Sequence, residues 1–210
     1  MRACCHHPPV ILQWATSRWL RWKMPPGRKR IYLTFDDGPD PSTTGAIMEI
    51  LSRHQAKATF FLSGQQAVSH PRWVQSLSDH GHQLGNHGFE HLSGWKTSTS
   101  RYVKNTRDAA GVIPGKLFRP PYGRICPGQI VALRKRGWSI IMWSVFTPDY
   151  RQHPGHERIW SDIGHRLSDG DIILMHDKRQ SASNTLPLLE RLLSHYSARG
   201  YAFHGLPGHP

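Results

Sequence analysis

From Ile31 onward, short apolar runs of strand character alternate with amphipathic helical stretches, and this alternation is the strongest constraint on the fold. Ile31 to Phe35 reads as a buried strand that stops at Asp36-Asp37-Gly38-Pro39, a polar break with Gly and Pro punctuation. A helix follows, with Ser42 as N-cap and Ile47, Ile50 and Leu51 on one face, before a second strand over Ala58 to Leu62. The unit then repeats. Pro71 opens a helix that Gly81 closes, and a short strand at Gln83 and Leu84 leads to Asn86-His87. Ser98 to Val112 is helical, and Lys116 to Phe118 precedes the rigid Arg119-Pro120-Pro121-Tyr122-Gly123. A helix over Pro127 to Arg136, a strand over Ser139 to Val145 and a helix over His156 to Leu167 come next. The chain ends with a strand over Asp171 to Met175, an amphipathic helix through Leu186 and Tyr196, and a strand over Tyr201 to Phe203.

About seven strands separated by about six helices predict an α/β fold with a parallel sheet, and closure into a barrel is expected. Residues 31–210 form that domain, and residues 1–30 are expected to flank it, across the bottom or side of the barrel. A chain of 210 residues buries a core of its own, so disulfide staples are not needed. Its cysteines, Cys4, Cys5 and Cys126, are odd in number and two are adjacent, which makes no disulfide framework. Cys126 reads as an incidental thiol. Cys4-Cys5-His6-His7 resembles a metal cluster but lacks partner spacing and reads as adventitious.

Lys and Arg number 27 against 14 Asp and Glu, a formal charge of +13. Such a charge suits polyanionic partners or a solvated surface. The basic residues are dispersed and no recognised module appears, so no specific nucleic-acid partner is expected. No run approaches the ~18 apolar residues of a membrane span. Trp14, Arg18, Trp19, Arg21 and Trp22 stand where a signal peptide needs an apolar stretch. The cytoplasm is therefore the default location, with export open, and a monomer is expected.

The residues with chemistry fall at the C-terminal ends of successive strands: Asp36-Asp37, His87, Arg119 to Tyr122, Asp149 and His176. In a chain so poor in acids, Asp36, Asp37 and Asp40 within five residues are informative. Adjacent carboxylates point opposite ways on a regular strand, but a break directly after it lets both face one cation, which relieves their repulsion. The plainer reading is a loop that caps the next helix, and Asp40 suits that role. His87 and His91 are four apart and share one side if they lie on a helical turn, although with 15 histidines the pair alone is weak. Gly88 stands where a His-Glu-x-x-His metalloprotease carries its glutamate, which disfavours that chemistry. One Asp with two His makes a metal site with positions open for water, for which zinc is the natural expectation, although the same donor set also describes a nonheme iron triad. The α/β alternation argues against an iron oxygenase. Metal-assisted hydrolysis, with a second Asp as base, is the better expectation.

Thr34-Phe35-Asp36-Asp37-Gly38-Pro39, Asn86-His87-Gly88-Phe89-Glu90-His91, Arg119-Pro120-Pro121-Tyr122-Gly123 and Leu174-Met175-His176-Asp177 arrive in that order. Together they resemble the polysaccharide deacetylases of carbohydrate esterase family 4, with their NodB-type domain, over about residues 31–205. The stretch His91 to Ser100 and the Trp/Arg-rich leader are similar to a small, single-domain bacterial subgroup. The resemblance implies a distorted (β/α) barrel of about seven parallel strands, a divalent metal, and hydrolysis of an N-acetyl amide or O-acetyl ester on a glycan such as peptidoglycan or chitooligosaccharide. It implies Asp37, His87 and His91 as metal ligands, with zinc first and cobalt, nickel or manganese as alternatives. Asp36 becomes the base that deprotonates a metal-bound water, and Arg119 the arginine that orients and charges it, since a neighbouring cation favours the form that accepts a proton. The backbone N–H of Tyr122 is implied to share the developing oxyanion, His176 to protonate the leaving group, and Leu174 to line the acetyl-methyl pocket. Two departures stand out. Gly88 replaces the usual Ser or Thr, and Phe146-Thr147-Pro148-Asp149-Tyr150 replaces a motif with two acids and Trp, leaving Asp149 to orient His176. Trp95, Trp143 and Tyr150 are candidates for sugar-stacking walls, with Trp143 equally readable as core. A non-catalytic barrel that binds glycans or polyanions is the competing expectation.

Overall fold

The computed structural model of the protein describes residues 7–151, 153 and 155–208. Cys4, Cys5 and His6 of the N-terminal Cys/His tract lie outside these residues. Among the described residues nine strands form a single sheet: β1 (Leu20–Arg21), β2 (Arg30–Asp36), β3 (Thr59–Leu62), β4 (Gln83–Asn86), β5 (Leu117–Phe118), β6 (Ser139–Ile141), β7 (Val145–Phe146), β8 (Ile172–His176) and β9 (Ala202–Phe203). Among the described residues the helices are α1 (Val10–Thr16), α2 (Thr44–Arg53), α3 (Gly64–Ser69), α4 (Pro71–Asp79), α5 (Thr99–Ala109), α6 (Pro127–Arg134), α7 (His156–Ile163) and α8 (Ala182–Ser197). The strand order is β1-β6-β5-β4-β3-β2-β8-β7, with β9 beside the start of β2, and every pairing between strands is parallel.

Strand parity sorts the side chains. Ile31, Leu33 and Phe35 of β2 face outward into one core with Ile47 and Leu51 of α2 and Leu189 and Leu192 of α8. Tyr32 faces the other way, joining Phe61, Leu117, Ile141 and Ile172 in an interior cluster. A side chain two or four residues further along a strand shares its face. That puts Thr34 and Asp36 of β2, Leu174 and His176 of β8, and Arg119 just past β5 on the interior row, nearer the C-terminal mouth. The core below and the polar residues above are one alternation read at two heights.

The structure corrects the sequence reading in three places. The run Ser139 to Val145, expected as one strand, is split at Met142-Trp143-Ser144. Its first part pairs with β1 and β5 and its second with β8, so one stretch of chain serves both sides of the curled sheet. The flanking segment is not confined to the outside of the barrel, because Leu20 and Arg21 add β1 to the sheet against β6. These two changes raise the strand count from seven to nine. Lastly, the N-cap of α2 is Thr43 rather than Ser42, and no side chain caps the helix. The hydroxyls of Thr43 and Thr44 instead donate to the buried carboxylate of Asp177. Gly38 lies so close to that carboxylate that a Cβ there would come within 2.3 Å of Asp177 Oδ2. This pins the loop after β2 against the loop after β8.

Candidate active site

Asp36 closes β2 on the interior row and is buried, while Asp37 adopts a left-handed backbone, φ 79°, with its N–H donating to the Phe61 carbonyl. The left-handed turn is uncommon for a residue with a Cβ. It supplies the break that brings two successive carboxylates to one side. His87 Nε2 lies 3.7 Å from Asp36 Oδ2 and 3.6 Å from Asp37 Oδ1, and His91 Nε2 lies 3.0 Å from Asp37 Oδ1.

The two histidines meet without a helical turn. Residues 87–93 form an irregular loop, bent at Phe89 and Glu90, in which Gly88 and His91 are both left-handed, φ 79° and 54°. A Cβ at Gly88 would stand 2.9 Å from Asn105 Oδ1, so the glycine is required twice over, by its backbone and by that close approach. Asn105 Oδ1 accepts the Phe89 N–H at 2.9 Å, and Asn86 Oδ1 accepts the Gly88 N–H at 2.7 Å. The departure at Gly88 is thus matched to asparagines that shape the loop. Asn105 comes from α5, and nothing local in the sequence marks it.

The donor set fits a divalent cation. Ligand atoms of Asp37, His87 and His91 all lie within 4.8 Å of one another. His87 Nδ1 is 2.8 Å from the Arg119 carbonyl oxygen, which fixes the tautomer and leaves Nε2 facing the carboxylates. Burial pushes the His87 imidazole down to about 4, so at neutral pH the ring is uncharged and has a lone pair to give. Burial works against the Asp37 carboxylate, but the His91 hydrogen bond and the positive field of His87, His91 and Lys178 hold it well below the usual carboxylate range. Lys178, which the sequence reading missed, reaches Asp37 Oδ2 at 2.9 Å and so orients the second oxygen of the ligand.

Arg119 is fully buried. Its guanidinium donates to Asp36 Oδ1 at 2.8 Å, Thr34 Oγ1 at 2.6 Å, the Met142 carbonyl at 2.8 Å and the Ile141 carbonyl at 3.4 Å. The last two carbonyls are at the split of the β6–β7 run, where ladder partners are lost. One side chain therefore satisfies the split in the sheet and pairs the buried acid. On the other side of Asp36 in the β2–β8 register is His176. Its Nδ1 is 2.7 Å from Asp149 Oδ1, and Asp149 Oδ2 accepts the His176 N–H at 2.8 Å and the Thr185 hydroxyl at 2.7 Å. Burial disfavours the charged His176 ring, but the carboxylate of Asp149 outweighs it and holds the pKa above the ordinary histidine value.

These residues open into a groove of about 750 Å³. Leu174 forms part of its floor, and Trp95, Trp143 and Tyr150 line it, with Trp143 also packed against both inner clusters. Tyr122 stands at the rim, left-handed at φ 59°, with its ring edge-on to His91, and its N–H donates to no acceptor among the described residues. His7, Pro8, Pro9 and Leu12 of the N-terminal segment also line the groove, so that segment reaches the mouth of the site rather than the barrel bottom. His7 Nδ1 is 2.9 Å from the Ser144 carbonyl oxygen. Cys126 is the N-cap of α6, away from this chemistry.

The polysaccharide deacetylase profile matches residues 23–141. A peptidoglycan-N-acetylglucosamine deacetylase of Bacillus cereus is 32% identical over 192 residues, which covers 88% of this chain and 90% of the relative. A chitooligosaccharide deacetylase of Azorhizobium caulinodans is 33% identical, covering 84% of this chain and 92% of its own. Among solved structures, the Bc1960 peptidoglycan N-acetylglucosamine deacetylase superposes with a TM-score of 0.87 at 27% identity, covering 95% of both chains. A CE4 family pseudoenzyme from Bacillus anthracis shares the fold, with a TM-score of 0.77 at 23% identity.

Proposed function

Since the chain belongs to the polysaccharide deacetylase family, we propose that it hydrolyses the N-acetyl groups of a glycan, with peptidoglycan or chitooligosaccharide as substrate, at the Asp37-His87-His91 centre. The observation that carries this reading is the convergence of those donors beside a second carboxylate, Asp36, held by a buried arginine. The donor set favours zinc, with cobalt, nickel or manganese as alternatives. A divalent cation held there supplies Lewis acidity, lowering the pKa of a water and polarising the acetyl carbonyl.

The chain's own residues do the rest. Asp36, locked on one oxygen by Arg119, presents its other oxygen toward the metal ligands, where it takes the proton of the attacking water. The free Tyr122 N–H is placed to hold negative charge that develops on the acetyl oxygen. Leu174 offers an apolar contact for the acetyl methyl group, while Trp95 and Tyr150 offer flat faces to sugar rings. His176, whose protonated form the Asp149 carboxylate favours, gives its proton to the departing amine. Asp149 supports the reading of His176 as the acid, because its carboxylate holds both the ring Nδ1 and the backbone N–H of that residue.

The test combines metal content with acetate release from N-acetylated chitooligosaccharides and peptidoglycan fragments. About one equivalent of metal is expected per chain, with activity lost on chelation and restored by zinc. His87→Ala should lower both metal retention and acetate release by more than about 100-fold. Metal-loaded protein that releases no acetate from any acetylated glycan would return the barrel to a binding role.

Asp149 sets a pH prediction. An acid catalyst works while protonated, so the alkaline limb of the rate profile follows His176, whose pKa is raised. Asp149→Asn removes the group that raises it. The alkaline limb should move toward lower pH and kcat should fall about 10- to 100-fold, with metal content unchanged. An alkaline limb that stayed in place would assign it to another group.

A further inference from the structure

Helix α1 has no buried residue, and its side chains Val10, Ile11 and Trp14 are largely uncovered by the rest of the protein. Val10, Ile11 and Trp14 are 78%, 80% and 79% exposed. With Leu12 and Trp19, the segment 10–19 holds five of the eleven large apolar side chains exposed among the described residues. A helix this short is marginal in water unless something buries a face of it. A second feature adjoins it. Ser17 to Arg21 line a groove of about 470 Å³ with Arg134 and Trp138, and no acidic residue borders it. Arg134 spends one N–H on the Trp19 carbonyl and Arg21 one on the Met24 sulfur, and no carboxylate among the described residues pairs with Arg18, Arg21 or Arg134.

We propose that residues 10–21 are an interfacial membrane anchor, with Val10, Ile11 and Trp14 inserted among the acyl chains and headgroups of an anionic bilayer and Arg18, Arg21 and Arg134 held to its lipid phosphates. The chemistry selects this partner. Val10 and Ile11 have neither a flat face to stack on a sugar nor a polar atom to recognise one, whereas hydrocarbon accepts them. Arginine beside Trp and aliphatic residues is the composition of segments that lie in the interface plane, and no helix among the described residues is long and apolar enough to cross it. A second copy of the chain is a poor occupant, because a two-fold contact would bring this arginine cluster against its own image in a chain of net charge +13. Leu12 belongs to both the exposed segment and the rim of the catalytic groove, so docking would hold the mouth of that groove near the bilayer surface.

The test is flotation of the full chain with phosphatidylcholine vesicles, with and without phosphatidylglycerol, at low and high salt, alongside sedimentation for oligomeric state. It reads binding and not acetate release, so it stands or falls separately from the catalytic reading. The chain should float with the anionic vesicles only, and high salt should weaken it. The triple variant Val10→Ser/Ile11→Ser/Trp14→Ser should bind at least tenfold more weakly with an unchanged unfolding temperature, since these side chains bury nothing. Arg18→Glu/Arg21→Glu should reduce binding about fivefold or more for each arginine reversed. Absence of vesicle binding at low salt, binding that the triple variant leaves intact, or a dimer that the triple variant dissolves would each overturn the proposal.

Discussion

Asp36→Asn is expected to keep its metal and lose about 10²- to 10⁴-fold in acetate release, the range that a positioned general base supplies. The ligands Asp37, His87 and His91 are untouched by the change, so metal content should stay near one equivalent. A second consequence follows from burial. Asp36 is the carboxylate that faces the buried Arg119 guanidinium, at 2.8 Å. Asparagine is uncharged, and leaving a buried cation without its counter-charge costs about 3–5 kcal/mol, which in a chain of this size lowers the unfolding temperature by about 6–20 °C. Acetate release, metal content and thermal unfolding on one preparation separate the two effects. A metal-loaded variant that turned over at the wild-type rate would remove Asp36 from the base role whatever its unfolding temperature.

The same residues show how far the sequence could be read. The alternation of apolar and helical stretches was enough for a parallel α/β sheet, because parallel strands covered on both faces are near-continuous apolar runs, as Ile31 to Phe35 is. It also placed Asp36, His87, Arg119 and His176 at the C-terminal ends of successive strands. What escaped it is non-local. The split at Met142-Trp143-Ser144 has no signal in a run as apolar as Ser139 to Val145; it exists because that run must pair with β5 at one end and β8 at the other. The strand at Leu20–Arg21 is too short to have a period, and it forms only because the first half of that split run offers it an edge. The His87 and His91 spacing suggested a helical turn, but the same convergence comes from two left-handed residues stabilised by Asn105, a side chain from a helix that begins eight residues after His91. Lys178 sits beside a recognised motif, yet its bond to Asp37 joins two loops far apart in sequence. Spacing can nominate ligands, whereas the groups that hold them come from whichever loops the barrel mouth gathers.

Arg119 offers the sharpest test of that architecture, because it serves stability and chemistry through different atoms. Arg119→Met should cost about 3–5 kcal/mol, since it leaves the Asp36 carboxylate buried without a cation and strips the Ile141 and Met142 carbonyls of their donor. Combining it with Asp36→Asn removes both charges. The charge penalty should then disappear, so the double variant should be more stable than Arg119→Met alone and the two single losses should fail to add by about 2 kcal/mol or more. A residual deficit of about 1–3 kcal/mol should persist, because neither methionine nor asparagine reaches the two carbonyls. Arg119→Lys is the complementary case: it keeps a cation for Asp36 but not the fork that bridges the acid and the split strand, so part of the carbonyl deficit should appear without the charge penalty. Acetate release should stay at least about 100-fold below wild type in the double variant even where stability returns, because the base is gone. Urea unfolding of the four proteins measures the cycle. Strictly additive losses would mean that Arg119 supports the split strand alone and that the ion pair at the floor of the site contributes nothing beyond proximity.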